Sequence, residues 1–204
     1  MFDKISPRER RDLLIAWLAI SAAFMLIFIR RGGFTPEIIL FYFVLALLTV
    51  GVGFLVHEMA HKYMAIQYGY WAEFMMDTTM LTVAIALAAL TGFVFAAPGA
   101  TMIYGPTLSK RENGIISVAG PLSNLVLFAL FVAVAFAAQS MNNGLLLAVG
   151  LVGMQVNGML AAFNMLPVGN LDGAKVLSWY PIVFVVVIVA SFAVVWLSVS
   201  GMIM

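Results

Sequence analysis

Long apolar runs separated by short polar breaks make up almost the whole chain, and that pattern leaves few folds open. The runs cover residues 13–29, 38–56, 80–97, 115–138, 145–166 and 181–203. The last three are long enough to cross a bilayer, which takes about 20 residues of helix. In lipid every backbone N–H and C=O has to be satisfied within the protein, so such runs are read as helices. Only 9% of the residues are charged and the mean hydropathy is +1.10, against about a quarter charged in a soluble domain. The expected fold is therefore an all-α polytopic membrane protein with five to six transmembrane helices. Its net charge of +1 gives no reason to expect nucleic acid as a partner, and the bilayer itself is the expected surroundings.

Ser6-Pro7-Arg8-Glu9 reads as a capped helix start ahead of the first run, among the basic residues Lys4, Arg8, Arg10 and Arg11. A secretory signal is the alternative. No small-residue cleavage site precedes Arg30-Arg31 and the run exceeds the usual signal core, so the run is expected to remain as a helix.

The only two histidines stand four residues apart in His57-Glu58-Met59-Ala60-His61, at the end of the second run. That is the H-E-x-x-H zinc signature. On a helix, positions i and i+4 share a face, so both imidazoles reach one ion while Glu58 stays free beside it as a base. The same letters occur by chance in soluble helices, where the histidines bind nothing. Ionisable groups this deep in apolar sequence are costly and need a partner, which favours the metal reading. The uncharged part of the run climbs about 28 Å, nearly a full hydrocarbon core, so the histidines are expected towards the far end of that crossing.

Cysteine is absent, so histidine and carboxylate have to supply the ligands. Asp172, just past the run 145–166, is the acidic residue best placed to be the third. To meet the histidines it has to lie on their side of the bilayer, which requires an even number of crossings in between. Three runs intervene, so one should dip in and return. The weakest is 80–97, which carries Thr91-Gly92 and stops at Pro98-Gly99. The basic residues give the same answer. With 80–97 re-entrant, Lys4, Arg8, Arg10, Arg11, Lys62, Lys110, Arg111 and Lys175 are cytoplasmic and only Arg30 and Arg31 are outside, following the excess of Lys and Arg in cytoplasmic loops. Were it to cross, Lys110, Arg111 and Lys175 would change sides and the bias would vanish. We expect a multi-pass protein of the cell membrane with a cytoplasmic N-terminus, a re-entrant segment near residues 80–108, and a site within the membrane near its cytoplasmic face.

H-E-x-x-H at the end of one membrane run, with Asn164-Met165-Leu166-Pro167 and Leu171-Asp172-Gly173 after a later one, resembles the site-2 protease family of intramembrane zinc metalloproteases. Members of that family join an H-E-x-x-H helix to an N-x-x-P…L-D-G element. The likeness covers residues 38–175, and Gly120-Pro121-Leu122-Ser123-Asn124 also resembles the family's glycine-containing turn into its middle core helix. The resemblance implies a three-helix catalytic core made from the runs 38–56, 115–138 and 145–166. It also implies a zinc-dependent endopeptidase that cuts within or near the transmembrane segments of single-span membrane proteins. We expect one domain over 1–204: an N-terminal region and first helix (1–36), the catalytic core (37–175) and a C-terminal helix (176–204). Departing from the family, the chain offers no stretch for a PDZ or cystathionine-synthase-like domain, and 80–97 is longer than a simple hairpin.

His57, His61 and Asp172 would give one zinc per chain three protein ligands and leave a position for water, whose proton Glu58 would take and return to the leaving amine. H/H/D ligands also accept other divalent ions. Asn164 either holds substrate backbone and supports the oxyanion, or caps the helix end before Pro167. Lys175 is read as a positive-inside residue rather than as a partner of Asp172. Asn124, Gln155 and Asn157 are read as inter-helix hydrogen bonders, and Gly150, Gly153 and Gly158 as close helix contacts. Residues 100–104, between Gly99 and Gly105, are expected to form an extended edge to which an unwound substrate adds as a strand. The competing readings are a membrane zinc transporter, a scaffold with structural zinc, and a zincin whose third ligand is Glu73 or Glu112, neither of which sits in a convincing ligand helix.

Overall fold

The computed structural model describes residues 5–94, 98–105 and 107–200; Lys4, residues 95–97 and residues 201–203 of the expectations above lie outside them. Helix α1 (Pro7–Gly32) starts where its sequence directs. Ser6 Oγ accepts from Glu9 N at 3.1 Å, and Pro7 stands in the first turn, where its missing N–H has no partner to lose. The helix stops at Gly33, whose φ of 98° suits glycine alone.

The second rod is one apolar helix of 32 residues. It consists of α2 (Pro36–Ala46), a π turn (Leu47–Gly51) and α3 (Val52–Gln67). The extra residue of a π turn takes carbonyls out of the regular ladder. Two side chains serve carbonyls there: Thr49 Oγ1 donates to Leu45 O (2.7 Å) and Trp17 Nε1 of α1 donates to Leu47 O (3.2 Å). A Cβ on Gly51 would lie 2.3 Å from Trp17 Nε1, so glycine is what lets the two rods close here.

Beyond α3 come strand β1 (Trp71–Met76), a short apolar helix α4 (Thr78–Thr91) and strand β2 (Gly99–Tyr104). The strands pair antiparallel, from Trp71 opposite Tyr104 to Met76 opposite Gly99. Asp77 caps α4 by accepting from Thr79 N (2.9 Å) and Met80 N (3.0 Å), while its own N–H donates to Pro98 O at 3.0 Å. The chain leaves along α4 and by Pro98 is back where it left. At 14 residues α4 rises only about 21 Å. It lies along α1, where Arg30 Nη1 donates to Ala89 O at 3.2 Å. The expected extended chain at 100–104 is therefore present. Its partner β1 was not anticipated, because Trp71–Met76 lacks the period-two alternation that announces a strand.

Helices α5 (Lys110–Ser140) and α6 (Gly144–Asn164) form a hairpin, followed by α7 (Asp172–Trp179) and α8 (Pro181–Val199). A Cβ on Gly150 would lie 2.6 Å from Ala135 Cβ, and one on Gly153 would lie 2.2 Å from Phe131 Cδ1. Those two glycines make the close contacts expected of them. Gly158 does not, since its nearest neighbour would be an ordinary 3.4 Å away.

Among the described residues five helices are long and apolar enough to cross a membrane: α1, the second rod, α5, α6 and α8, with mean hydropathies from 1.8 to 3.0. The surface agrees with that. Leu90, Val126, Leu130, Val189 and Trp196 are exposed while Glu9, Lys62, Glu58, Asn124 and Asp172 are buried, the inverse of a soluble protein. This is a multi-pass membrane protein, all-α among the described residues apart from one two-stranded ribbon.

The start of α1 meets the end of α3 through Glu9 and Lys62, and α5 meets α7 through Gly114 and Trp179. Arg8, Arg10, Arg11, Lys110, Arg111 and Lys175 therefore gather at one end of the bundle and Arg30 at the other. Exposed Tyr68, Trp71, Tyr104 and Tyr180 stand at the same end, as interfacial aromatics do. Lys62, counted with these basic residues, is wholly buried in an ion pair with Glu9.

Candidate metal centre

His57 and His61 lie one turn apart on α3 with ring centroids separated by 4.6 Å. Each ring uses Nδ1 outward. His57 Nδ1 meets Asn124 Oδ1 at 2.6 Å and His61 Nδ1 meets Ile116 O at 2.8 Å, both on α5. Two backbone carbonyls fix the protons. Asn157 Nδ2 faces Gly153 O (2.9 Å), and Asn124 Nδ2 faces Gly53 O (3.1 Å) and Asn157 Oδ1 (3.0 Å). A carbonyl only accepts, so each amide is oriented with nitrogen towards it, and Asn124 is left with oxygen towards His57. Both imidazoles then carry their proton on Nδ1 and present a bare Nε2 lone pair.

Those lone pairs converge. The two Nε2 atoms are 3.0 Å apart, and Asp172 Oδ2 lies 3.2 Å from His57 Nε2 and 3.1 Å from His61 Nε2. Three acceptors at that separation, with no proton among them, repel unless a cation stands between. A tetrahedral ion bonded at about 2.0–2.2 Å holds its ligands roughly 3.3–3.6 Å apart, close to what is seen. The neighbouring helix leaves room, for a Cβ on Gly120 would lie 2.5 Å from Nε2 of both histidines. His57, His61 and Asp172 are thus a set of donors that could hold one metal ion.

Asp172 reaches the histidines because α6 ends and α7 begins in a tight turn. Gly169 takes a φ of 56°, and a Cβ on Gly173 would lie 2.1 Å from Met165 O. Only glycine lets α7 tuck under the end of α6. Lys175 Nζ stands 3.6 Å from Asp172 Oδ1. The helical pairing set aside on sequence grounds is present.

Glu58 is buried and held from above by β2: its Oε2 accepts from Thr101 N (3.0 Å) and Thr101 Oγ1 (2.8 Å). Asn164 Nδ2 donates to Leu160 O at 3.0 Å on its own helix. Together with His57 and Glu58 it forms the wall between two cavities. One is apolar and lined by Ile20, Phe24, Phe54 and Met159; the other is polar and lined by Asn113, Ser117, Asn170 and Lys175. Glu73 and Glu112 are elsewhere, taken up by Ser6 and Ser109.

The residues that sequence reasoning missed here are partners, not ligands. Asn124 and Asn157 were expected to join helices and do so, but Asn124 also orients His57. Its place four residues after Gly120, which touches both histidines, was the available signal.

A polytopic helical bundle whose buried centre combines two histidines, an aspartate and a separate carboxylate is built as membrane metallohydrolases are. Over 184 residues the chain is 37% identical to a protein of Methanocaldococcus jannaschii named "Putative zinc metalloprotease MJ0611", an alignment covering 90% of this chain and 91% of that protein. The chain belongs to this zinc metalloprotease family. No protein-family model and no solved structure matches it.

Proposed function

We propose that the chain is a zinc-dependent intramembrane endopeptidase of the site-2 protease type, acting on single-span membrane proteins. The observation that carries this is a base carboxylate, Glu58, beside a buried three-ligand cluster at the end of a membrane rod. Zinc held by His57, His61 and Asp172 supplies a Lewis acid that acidifies a water and polarises the scissile carbonyl. Glu58 takes the proton of the attacking water and hands it to the leaving amine. Thr101 holds one oxygen of Glu58, which keeps the other directed at the reactants. Asn164 binds substrate backbone, since its oxygen and one amide hydrogen remain after the bond to Leu160 O.

The rod, α5 and α6 form the catalytic core, and 37–175 is its extent within a single domain. The segment near 80–108 is re-entrant: the 14-residue helix α4, with Asp77 N–H bonded to Pro98 O at its start, fits a dip better than a crossing. With five crossings, the basic end is cytoplasmic and the N-terminus lies on that side of the cell membrane. A substrate span has to unwind before its peptide bonds can react. Its apolar part enters the cavity of Ile20, Phe24 and Met159, and its backbone adds to the outer edge of β2 beyond the Thr101 N–H that Glu58 occupies, where alternation turns the Ile103 N–H outward.

The test is to purify the wild type and Glu58→Gln in detergent, measure bound zinc, and incubate both with a panel of single-span membrane proteins. Wild type is expected to hold one zinc and cut within or beside a span, whereas Glu58→Gln keeps the zinc and does not cut. Zinc with no cleavage of any substrate would point to a transporter or scaffold instead. Ile103→Pro removes an outward N–H without touching the ladder to β1, and is expected to weaken substrate binding about tenfold with zinc retained. Unchanged cleavage in that variant would remove the strand-addition step.

A further inference from the structure

The β1–β2 ribbon is held at a single rung by carboxylates on both of its edges. Phe74 and Thr101 face each other across the ribbon. In a non-hydrogen-bonded antiparallel pair both N–H groups point away from the partner strand. Thr101 N–H donates to Glu58 Oε2 at 3.0 Å, and on the opposite edge Phe74 N–H donates to Glu9 Oε1 at 3.0 Å. The other oxygen of Glu9 is paired with Lys62, the residue after His61, and both side chains are fully buried. One carboxylate from α1 thus joins the helix of the metal ligands to the backbone of the strand behind Thr101.

Stability does not explain this arrangement. A buried ion pair loses so much hydration that well-packed apolar residues often serve as well or better. What an apolar pair cannot do is accept the Phe74 N–H. We propose that Glu9 is a positioning residue: with Lys62 it sets the β1–β2 ribbon against α3 so that Thr101 grips Glu58 and the open edge of β2 stands at the cluster. Its effect on cleavage rests on the peptidase reading above, while its hold on the ribbon does not.

Two double variants separate the acceptor from the charge: Glu9→Gln with Lys62→Met, and Glu9→Met with Lys62→Met. Both remove the Glu9–Lys62 ion pair as a unit, and they differ only in whether position 9 can accept the Phe74 N–H. Zinc content, hydrogen exchange over residues 71–76 and 99–104, and kcat and KM on a cleaved substrate are read for each. Both should bind zinc at the wild-type ratio. The Gln/Met variant should keep ribbon protection and most of the cleavage. The Met/Met variant should lose protection in the ribbon and drop ~10- to 100-fold in kcat, the cost of misplacing a catalytic group by about 1 Å.

Equal ribbon protection in the two variants overturns the proposal, and so does lost protection with undiminished kcat. Loss of zinc from both would also overturn it, by making the pair a general support of α3. If the wild type cuts nothing, the peptidase reading falls, and hydrogen exchange alone decides whether Glu9 holds the ribbon. Should the Met/Met protein fail to fold, the Gln/Met variant, which keeps the acceptor without the charge pair, has to retain ribbon protection or the proposal fails.

Discussion

Helices α6 and α8 lie side by side, yet they handle polarity in opposite ways. The mean hydropathy of α6 is 1.8, with 44% of its apolar window buried; for α8 the values are 3.0 and 22%. The polar groups of α8 fold back on their own helix, Ser191 onto Val187 O and Ser198 onto Val195 O. On α6 the Asn157 and Asn164 amides also fold back, onto Gly153 O and Leu160 O, but Asn157 Oδ1 reaches outward to Asn124 of α5, which binds His57 of α3. A helix facing lipid can carry only polar groups that satisfy themselves, whereas a helix facing the centre can carry amides because a network receives them. Polarity in this bundle is thus rooted in the metal cluster and fades with distance from it.

If that is right, substitutions should lose force with each step away from the cluster. The largest effect is expected from Gly120→Ala, whose Cβ would lie 2.5 Å from both Nε2 atoms and fill the place of the ion. Purified protein should then hold less than about a tenth of the wild-type zinc while staying folded, since ligands with no room for the ion lose its binding energy outright. Full zinc content in this variant would mean that the metal sits elsewhere.

One step out, Asn124→Leu removes the acceptor that keeps the proton of His57 on Nδ1. Zinc affinity, measured by competition with a chelator, should fall about 10- to 100-fold, as it does when the outer partner of a ligating histidine is lost. Stability should fall as well, by about 1–3 kcal/mol for each buried polar group left without its partner, here His57 Nδ1–H and Asn157 Oδ1. A variant destabilised but with unchanged zinc affinity would reduce Asn124 to an inter-helix tie.

The same gradient explains what the sequence disclosed. His57, Glu58 and His61 were legible because their spacing is a property of a single helix. Asp172 was legible as the acidic residue best placed after the run 145–166, and its having to meet the histidines set how many of the intervening runs cross. Asn124 was legible as a polar residue in lipid, but its partner was not. One apolar helix gives little sign of which face turns inward, since lipid and core are equally apolar. The pair of Glu9 and Lys62 spans 53 residues and carries no local mark, so Lys62 was counted only among the cytoplasmic basic residues. The π turn at Leu47–Gly51 was hidden for another reason: its carbonyls are served by Thr49 and by Trp17 on a different helix.

The smallest effect is expected where the network ends. Gln155 is on α6 like Asn157, but it faces α8, and its hydrogen bond among the described residues is a long 3.4 Å one from Nε2 to Ser198 O. Gln155→Leu should cost about 0.6 kcal/mol or less, the usual worth of a hydrogen bond between membrane helices, and should leave zinc affinity unchanged. The residue lies only two positions from Asn157, so nearness in sequence predicts similar effects, whereas the gradient predicts that orientation decides. Thermal unfolding and chelator competition on Asn157→Leu and Gln155→Leu, run together, separate the two. Weakened zinc binding in the first and not in the second is what a network rooted at His57 requires. Equal losses in both would mean that α6 responds as a rigid unit and that the polarity gradient has no hold on the metal.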